Sequence, residues 1–389
     1  TFNSEITLRY INVLSPVIFF VMSIILFFFL CYFLIKSKIA AILGAAFLAL
    51  IPSYLYRTMA GFSDREAIGM VSFFAALLVG AMAIKYLGKS KLIWRKIILW
   101  GIGVGALSAL TVSSWGGVSN FLFMIIPLSF LILWLVKIRT EEGKSFGIKG
   151  FSFYLIWIVS TIVIGLILGN SYGYLLSKFI SSNGIVSFFV LGFCLVDLLI
   201  VFNLRKLGFI RKKYRQIYSL LAAFILGVFA LIVSGRGFIS LIKDIWIRIF
   251  QPWGTERVAL TVAENAQPYL NDWIAQGGQT IFWMFFAAII FFGFEISRGI
   301  RSMKGKISFN LAWIFLVSGI LFSRISSASL FNGVNFISQA FYLLAVLVFI
   351  FVSAWVYFNE EIKIKPEMIF IASWMIFTLI SARAATRMF

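Results

Sequence analysis

The chain has 389 residues, of which 62% are hydrophobic and only 12% charged. Soluble domains average about 45–50% apolar and about 25% charged residues, so the composition excludes a soluble globular domain and points to a membrane protein. The formal net charge of +20 invites a nucleic-acid partner, but the basic residues sit as loop clusters between apolar runs, which reads as a topological signal instead.

A membrane-spanning helix needs roughly 20 mostly apolar residues. Twelve stretches are predicted to span: residues 14–35, 39–56, 67–88, 97–113, 117–136, 151–169, 185–203, 216–233, 280–296, 309–323, 334–357 and 366–382. Their apolar runs are continuous rather than alternating in period two, so the predicted fold class is all-α, a polytopic helical bundle and not a barrel. With the N-terminus outside, the loops alternate sides. Lys36/Lys38, the clusters 85–96, 137–149, 205–215 and 298–306, and Lys363/Lys365 then share one side, which holds most of the 34 Lys and Arg. That side faces anionic lipid headgroups. The other side holds Asp64, Glu66, Asp244, Glu256, Glu264 and Asp272. Cys31 and Cys194 both lie inside apolar segments and imply neither a disulfide framework nor a thiolate metal site. The chain has no His, which removes imidazole as base or ligand.

The first polar constellation is SDRE at 63–66, just beyond the second predicted span. In an extended loop Asp64 and Glu66 point the same way, and hard cations such as Mg²⁺ or Mn²⁺ favour such oxygen ligands. The competing expectation is that Ser63 or Asp64 caps the helix starting near Ala67, with Glu66 suiting its positive end. Trp115-Gly116-Gly117 follows at another external turn and reads as an aromatic anchor with a flexible bend. Asp197 lies within the seventh predicted span and reads as an isolated helix–helix hydrogen-bonding group.

Residues 234–279 form the one long external loop. It opens on Gly235 and Gly237, and then Ile239, Ile242, Trp246 and Ile249 fall at helical spacing, as in a helix lying along the interface. Beyond Pro252 and Gly254 the segment is polar and irregular, and long loops of this kind tend to be functional. It contains TVAEN at 261–265, with Glu264 flanked by Thr261 and Asn265. Arg324 ends a span on the same side. The chain closes on SARAATRMF, where Arg383 and Arg387 are four apart on one helical face. A guanidinium there suits a phosphate bidentately, and a snorkelling interfacial pair is the simpler alternative.

The string YRTMAGFSDRE, then WGG with an apolar run to Ile126-Pro127-Leu128, then TVAENAQPY in a long external loop after eight spans, resembles the catalytic subunit of the oligosaccharyltransferases. These are GT-C type multi-pass enzymes of protein N-glycosylation, and the resemblance covers residues 1–389 as their transmembrane domain, most closely in archaeal or bacterial single-subunit form. It implies a metal ligand at Asp64 and a second ligand or partner at Glu66. Glu264 becomes the metal-linked carboxylate that also contacts the acceptor asparagine, and Thr261 helps to hold the acceptor peptide. It places the donor phosphate on Arg387, with Arg324 as the alternative. The cofactor implied is Mn²⁺ or Mg²⁺. The partners implied are a lipid-linked oligosaccharide, an acceptor polypeptide with Asn-x-Ser/Thr, and membrane lipids, with no nucleic acid. The location implied is a prokaryotic, archaeal-type cell membrane with the active site on its external face.

The resemblance also implies a further span and an aspartate-bearing loop before Thr1, and a soluble domain with a WWDYG motif after Phe389. Two rival readings remain from the sequence. Another GT-C transferase, of the protein O-mannosyltransferase type, shares external acidic motifs but not TVAEN at this position. A transporter would place charges at the bilayer midplane.

Overall fold

The computed structural model describes residues 4–139, 143–181, 184–203, 214–233, 239, 243 and 267–384. Thr261, Glu264, Arg387 and most of the long external stretch lie outside the described residues. What is described is helical, without a strand among the described residues: α1 (Ser4–Ile35), α2 (Lys38–Leu50), α3 (Pro52–Thr58), α4 (Arg65–Leu87), α5 (Trp94–Ser114), α6 (Gly116–Lys137), α7 (Gly143–Ile167), α8 (Tyr172–Ile180), α9 (Ile185–Asn203), α10 (Arg215–Val233), α11 (Leu270–Ser297), α12 (Met303–Phe322), α13 (Phe336–Asn359) and α14 (Pro366–Ala384).

Ten of these helices are long and apolar enough to cross a membrane, so this is an all-α multi-pass membrane protein. The predicted span at 39–56 is two helices, α2 and α3, bent by 66°. Pro52 sits at the first position of α3 and Ile51 is extended (φ −62, ψ 122), because a residue preceding proline is pushed out of the helical region. Counted as one span, the bent pair gives an eleventh. The predicted span at 216–233 falls on α10, whose apolar part, Arg215–Phe229, is shorter than a full span. The sequence reading missed α8, a short helix capped by the Ser171 hydroxyl, which accepts from the Tyr174 N–H at 3.2 Å.

The chain divides into two compact units, Thr1–Gly227 with Ile369–Ser373, and Val228–Met368 with Trp374–Phe389. In the first, α5 and α7 make the most extensive helix pair, and α4 packs on α1, α5 and α6. Small residues allow the α5–α7 approach, as they do between membrane helices generally. A Cβ on Gly101 would lie 2.7 Å from Ile156 Cγ2, and one on Gly105 would overlap the Ser160 hydroxyl. The Trp157 indole N–H, fully buried, donates to Ser108 Oγ across the same seam at 3.1 Å. Gly105→Leu is therefore expected to lower stability by about 1–3 kcal/mol, the usual cost of overpacking. The control is Gly192→Leu, which has open space around it and should melt with the parent; thermal unfolding in detergent compares the two.

In the second unit α12 packs on both α11 and α13. Gly293 and Gly319 let Trp313 and Ala345 come close, and the Trp313 indole donates to the Ile289 carbonyl at 2.9 Å. Helix α11 is interrupted at Gly278 (φ 84, ψ 164), a conformation open to glycine and strained for other residues. The break lies at the start of the part long and apolar enough to span, Gly277–Ser297, and sets it apart from the short stretch before it.

Candidate active site

Two groups of polar side chains lie at helix ends away from the basic loops, one in each unit. In the first unit the turn between α3 and α4 is tight: the Phe62 N–H donates to Met59 O at 3.1 Å, and the Asp64 N–H to Phe62 O at 3.0 Å. Gly61 has φ +86 at the apex. Asp64 is the N-cap of α4, extended (φ −108, ψ 159), with its carboxylate accepting the Arg65 N–H at 2.6 Å. The capping expectation is met.

The expectation that Asp64 and Glu66 point the same way is corrected. It assumed an extended loop, but the helix begins at Arg65, so Glu66 lies in its first turn. Asp64 is exposed and Glu66 is buried. Glu66 Oε1 lies 3.1 Å from Arg57 Nη1, so a cation from the preceding helix balances the inward carboxylate. Sequence reasoning quoted Arg57 within its motif without giving it a role.

A shallow cleft of about 210 Å³ lies beside Asp64, walled by Ser15, Pro16 and Phe19 of α1 and by Ser63 and Ile68. Asp64 fits a hard cation: it is an exposed hard-oxygen ligand, with one oxygen engaged by a backbone amide. Glu66, already paired, fits a supporting role behind such a ligand better than direct ligation.

The flexible-bend reading of Trp115-Gly116-Gly117 is also corrected. Trp115 alone links α5 to α6, and both glycines are in the first turn of α6. They are small because the space is taken: a Cβ on Gly116 would press on Tyr174 Oη and Lys178 Nζ, and Trp115 packs against Gly69 of α4. Lys178 Nζ donates to the Gly116 carbonyl at 3.1 Å, and partial burial lowers its pKa from the usual lysine range.

In the second unit Arg324, just past α12, is buried at 7% exposure. Its Nε donates to Pro268 O at 3.2 Å, Nη1 to Gln267 Oε1 at 2.9 Å and Nη2 to Gln267 O at 3.2 Å. The guanidinium stands 4.6 Å from the centre of the Tyr269 ring. Burial pushes its pKa below the usual arginine range, while nearby Tyr269 and Asp272 act the other way. Arg383, near the end of α14, was noted in the sequence only as a neighbour of Arg387. It is 3% exposed, stacks 3.9 Å from the centre of the Tyr342 ring and donates through Nε to Ser323 Oγ at 3.0 Å. The sequence signal for it was an arginine inside an apolar run, which is costly unless a partner is waiting.

Asp197 is not isolated. Its carboxylate accepts from Trp134 Nε1 at 3.0 Å, Arg215 Nε at 3.1 Å and Ser219 Oγ at 2.8 Å. It joins α6, α9 and α10 near their basic ends, within the first unit.

The fold and these groups define a polytopic helical membrane protein with an exposed carboxylate at one helix N-terminus and aromatic-stacked arginines at other helix ends. The chain belongs to the family described as oligosaccharyl transferase STT3, N-terminal, whose profile matches residues 2–351. The dolichyl-diphosphooligosaccharide–protein glycosyltransferase subunit stt3 of Schizosaccharomyces pombe is 32% identical over 108 residues, which is 28% of this chain and 13% of that protein. A solved archaeal oligosaccharyltransferase, AglB from Archaeoglobus fulgidus in complex with an inhibitory peptide and a dolichol-phosphate, aligns with 97% of this chain at 17% identity and a TM-score of 0.49. The chain spans 39% of that protein.

Proposed function

We propose that this chain carries part of the active site of an oligosaccharyltransferase that moves a glycan from a polyprenyl- or dolichyl-linked phosphate donor to the Asn side chain of Asn-x-Ser/Thr sequons. The observation that carries the reading is Asp64, an exposed carboxylate fixed at a helix N-terminus, in a chain of this family. The proposed location is a prokaryotic cell membrane, with the chemistry on its external face.

Asp64, with Glu264 from the long loop, is the proposed ligand set for Mn²⁺ or Mg²⁺. When bound, such an ion supplies Lewis-acid polarisation of the leaving phosphate. The same two carboxylates accept hydrogen bonds from the acceptor amide and loosen its conjugation. Full loss of that conjugation costs about 18–20 kcal/mol, judged by the amide rotation barrier, so a partial loss is already large. Glu66, neutralised by Arg57, holds the start of α4 and keeps Asp64 in place. Thr261 is assigned to the acceptor peptide, and Arg387 to the negative charge that builds on the departing phosphate.

The test is transfer by the full-length protein, given a lipid-linked glycan, an Asn-x-Ser peptide and Mn²⁺. Glycopeptide is the expected product, and none should form with a Gln-x-Ser peptide. Arg387→Ala is expected to raise the donor KM by about tenfold or more, the scale of a lost charge-assisted hydrogen bond. Absence of transfer under these conditions, or equal transfer to the Gln peptide, overturns the reading.

A further inference from the structure

We propose that Arg324 is a positioning residue: it clamps Gln267, Pro268 and Tyr269, the root from which the long external loop departs, and so limits where Glu264 can reach. The proposal rests on the function proposed above for its consequence in catalysis, but not for the clamp itself.

The contact is made from both sides. The Arg324 guanidinium gives three separate hydrogen bonds to Gln267 and Pro268 and faces the Tyr269 ring. In return the Leu270 N–H donates to the Arg324 carbonyl at 3.0 Å. Pro268 has no N–H and cannot extend a backbone ladder, so the adjoining carbonyls need side-chain donors. A planar guanidinium with five N–H groups in a fixed fork can serve two carbonyls and an amide oxygen together, whereas an ammonium presents a single point charge.

Arg324 is itself held. It forms an antiparallel bridge with Asn332, and the Ile325 N–H donates to Phe331 O at 2.7 Å. Gly333 (φ +78) lies against its side chain, where a Cβ would overlap the Arg324 methylenes. The far end of the clamped segment is fixed too, since the Tyr269 N–H donates to Asp272 Oδ2 at 2.7 Å at the start of α11. Glu264 precedes Gln267 by three residues, and three extended residues reach at most about 10 Å. A residue whose work was to bind phosphate would gain little from using three donors on its own chain.

The experiment uses the full-length protein and two readouts: amide hydrogen exchange across 267–272, and separate KM and kcat values for donor and acceptor peptide. Arg324→Gln is expected to speed exchange at Tyr269 and Leu270 by about tenfold or more, the scale of charge-assisted hydrogen bonds. Turnover should fall and the acceptor KM should rise. Arg324→Lys is expected to behave like the Gln variant, because charge without the fork does not rebuild the clamp. Gln267→Ala, which keeps the cation and removes one acceptor, should move both readouts the same way by less. Unchanged exchange in Arg324→Gln, or a defect confined to donor KM, overturns the proposal. If the parent protein transfers no glycan, the exchange readout still decides the clamp, and only the catalytic consequence falls with the function.

Discussion

Asp64→Asn is expected to abolish glycan transfer while leaving the protein as stable as the parent. Asn and Asp cap helices about equally well, whereas Ala at an N-cap costs about 1 kcal/mol. Asp64 accepts the Arg65 N–H, and an Asn amide oxygen can do the same. What Asn lacks is the negative charge that draws a divalent cation. The Asn variant therefore separates the two readings that the sequence left open for this residue. A role as ligand predicts loss of Mn²⁺-dependent turnover by several orders of magnitude with an unchanged melting curve. A role as cap alone predicts near-parental turnover, with only Asp64→Ala impaired. Transfer assays across a Mn²⁺ titration, with thermal unfolding alongside, decide between them. Asp64→Asn at parental turnover removes the mechanism. Glu264→Gln should show the same loss of turnover if the two carboxylates share one ion.

The class of the fold was legible because lipid imposes one rule along the whole chain: apolar for about 20 residues, then a charged turn. Every range predicted to span falls on helix, the second on the bent pair α2 and α3. The differences come from local chemistry or from partners distant in sequence. Pro52 breaks the second range through its fixed backbone, a signal visible in the sequence but overridden there by continuous hydropathy. Gly116 and Gly117 looked like a bend because glycine is common in turns. Both lie in the first turn of α6, where a Cβ on Gly116 would meet Tyr174 and Lys178 and one on Gly117 the Trp115 indole, and no local rule reports that.

The candidate site was legible in its residue types and less so in its geometry. The alternation rule for Asp64 and Glu66 failed where the helix starts one residue after Asp64, so one carboxylate turns outward and the other inward toward Arg57. Arg324 was legible as an external cation near the loop. Its three hydrogen bonds to Gln267 and Pro268 depend on how the start of α11 returns to the end of α12, which spacing does not encode. Arg383 is buried against Tyr342 of another helix, a contact between helices that no local spacing reports.

Asp197→Ala is expected to destabilise the first unit by about 3–5 kcal/mol, the cost of stranding one member of a buried ion pair. Asp197 is fully buried and Arg215 is 4% exposed, so neither charge is relieved by water. Removing the carboxylate leaves Arg215 Nε, Ser219 Oγ and Trp134 Nε1 without their shared acceptor. Arg215 Nη2 already has no hydrogen-bond partner, so the arginine has no spare acceptor to fall back on. The double variant Asp197→Leu with Arg215→Leu is expected to recover most of the loss, because replacing a whole buried pair with apolar side chains is often neutral or stabilising. Detergent melts of Asp197→Leu, Arg215→Leu and the double form a thermodynamic cycle with a large coupling term. If the double variant instead loses as much as the two singles together, the carboxylate and guanidinium act independently. The three helices would then be joined by packing and by the Trp134 and Ser219 hydrogen bonds, with the ion pair contributing nothing of its own.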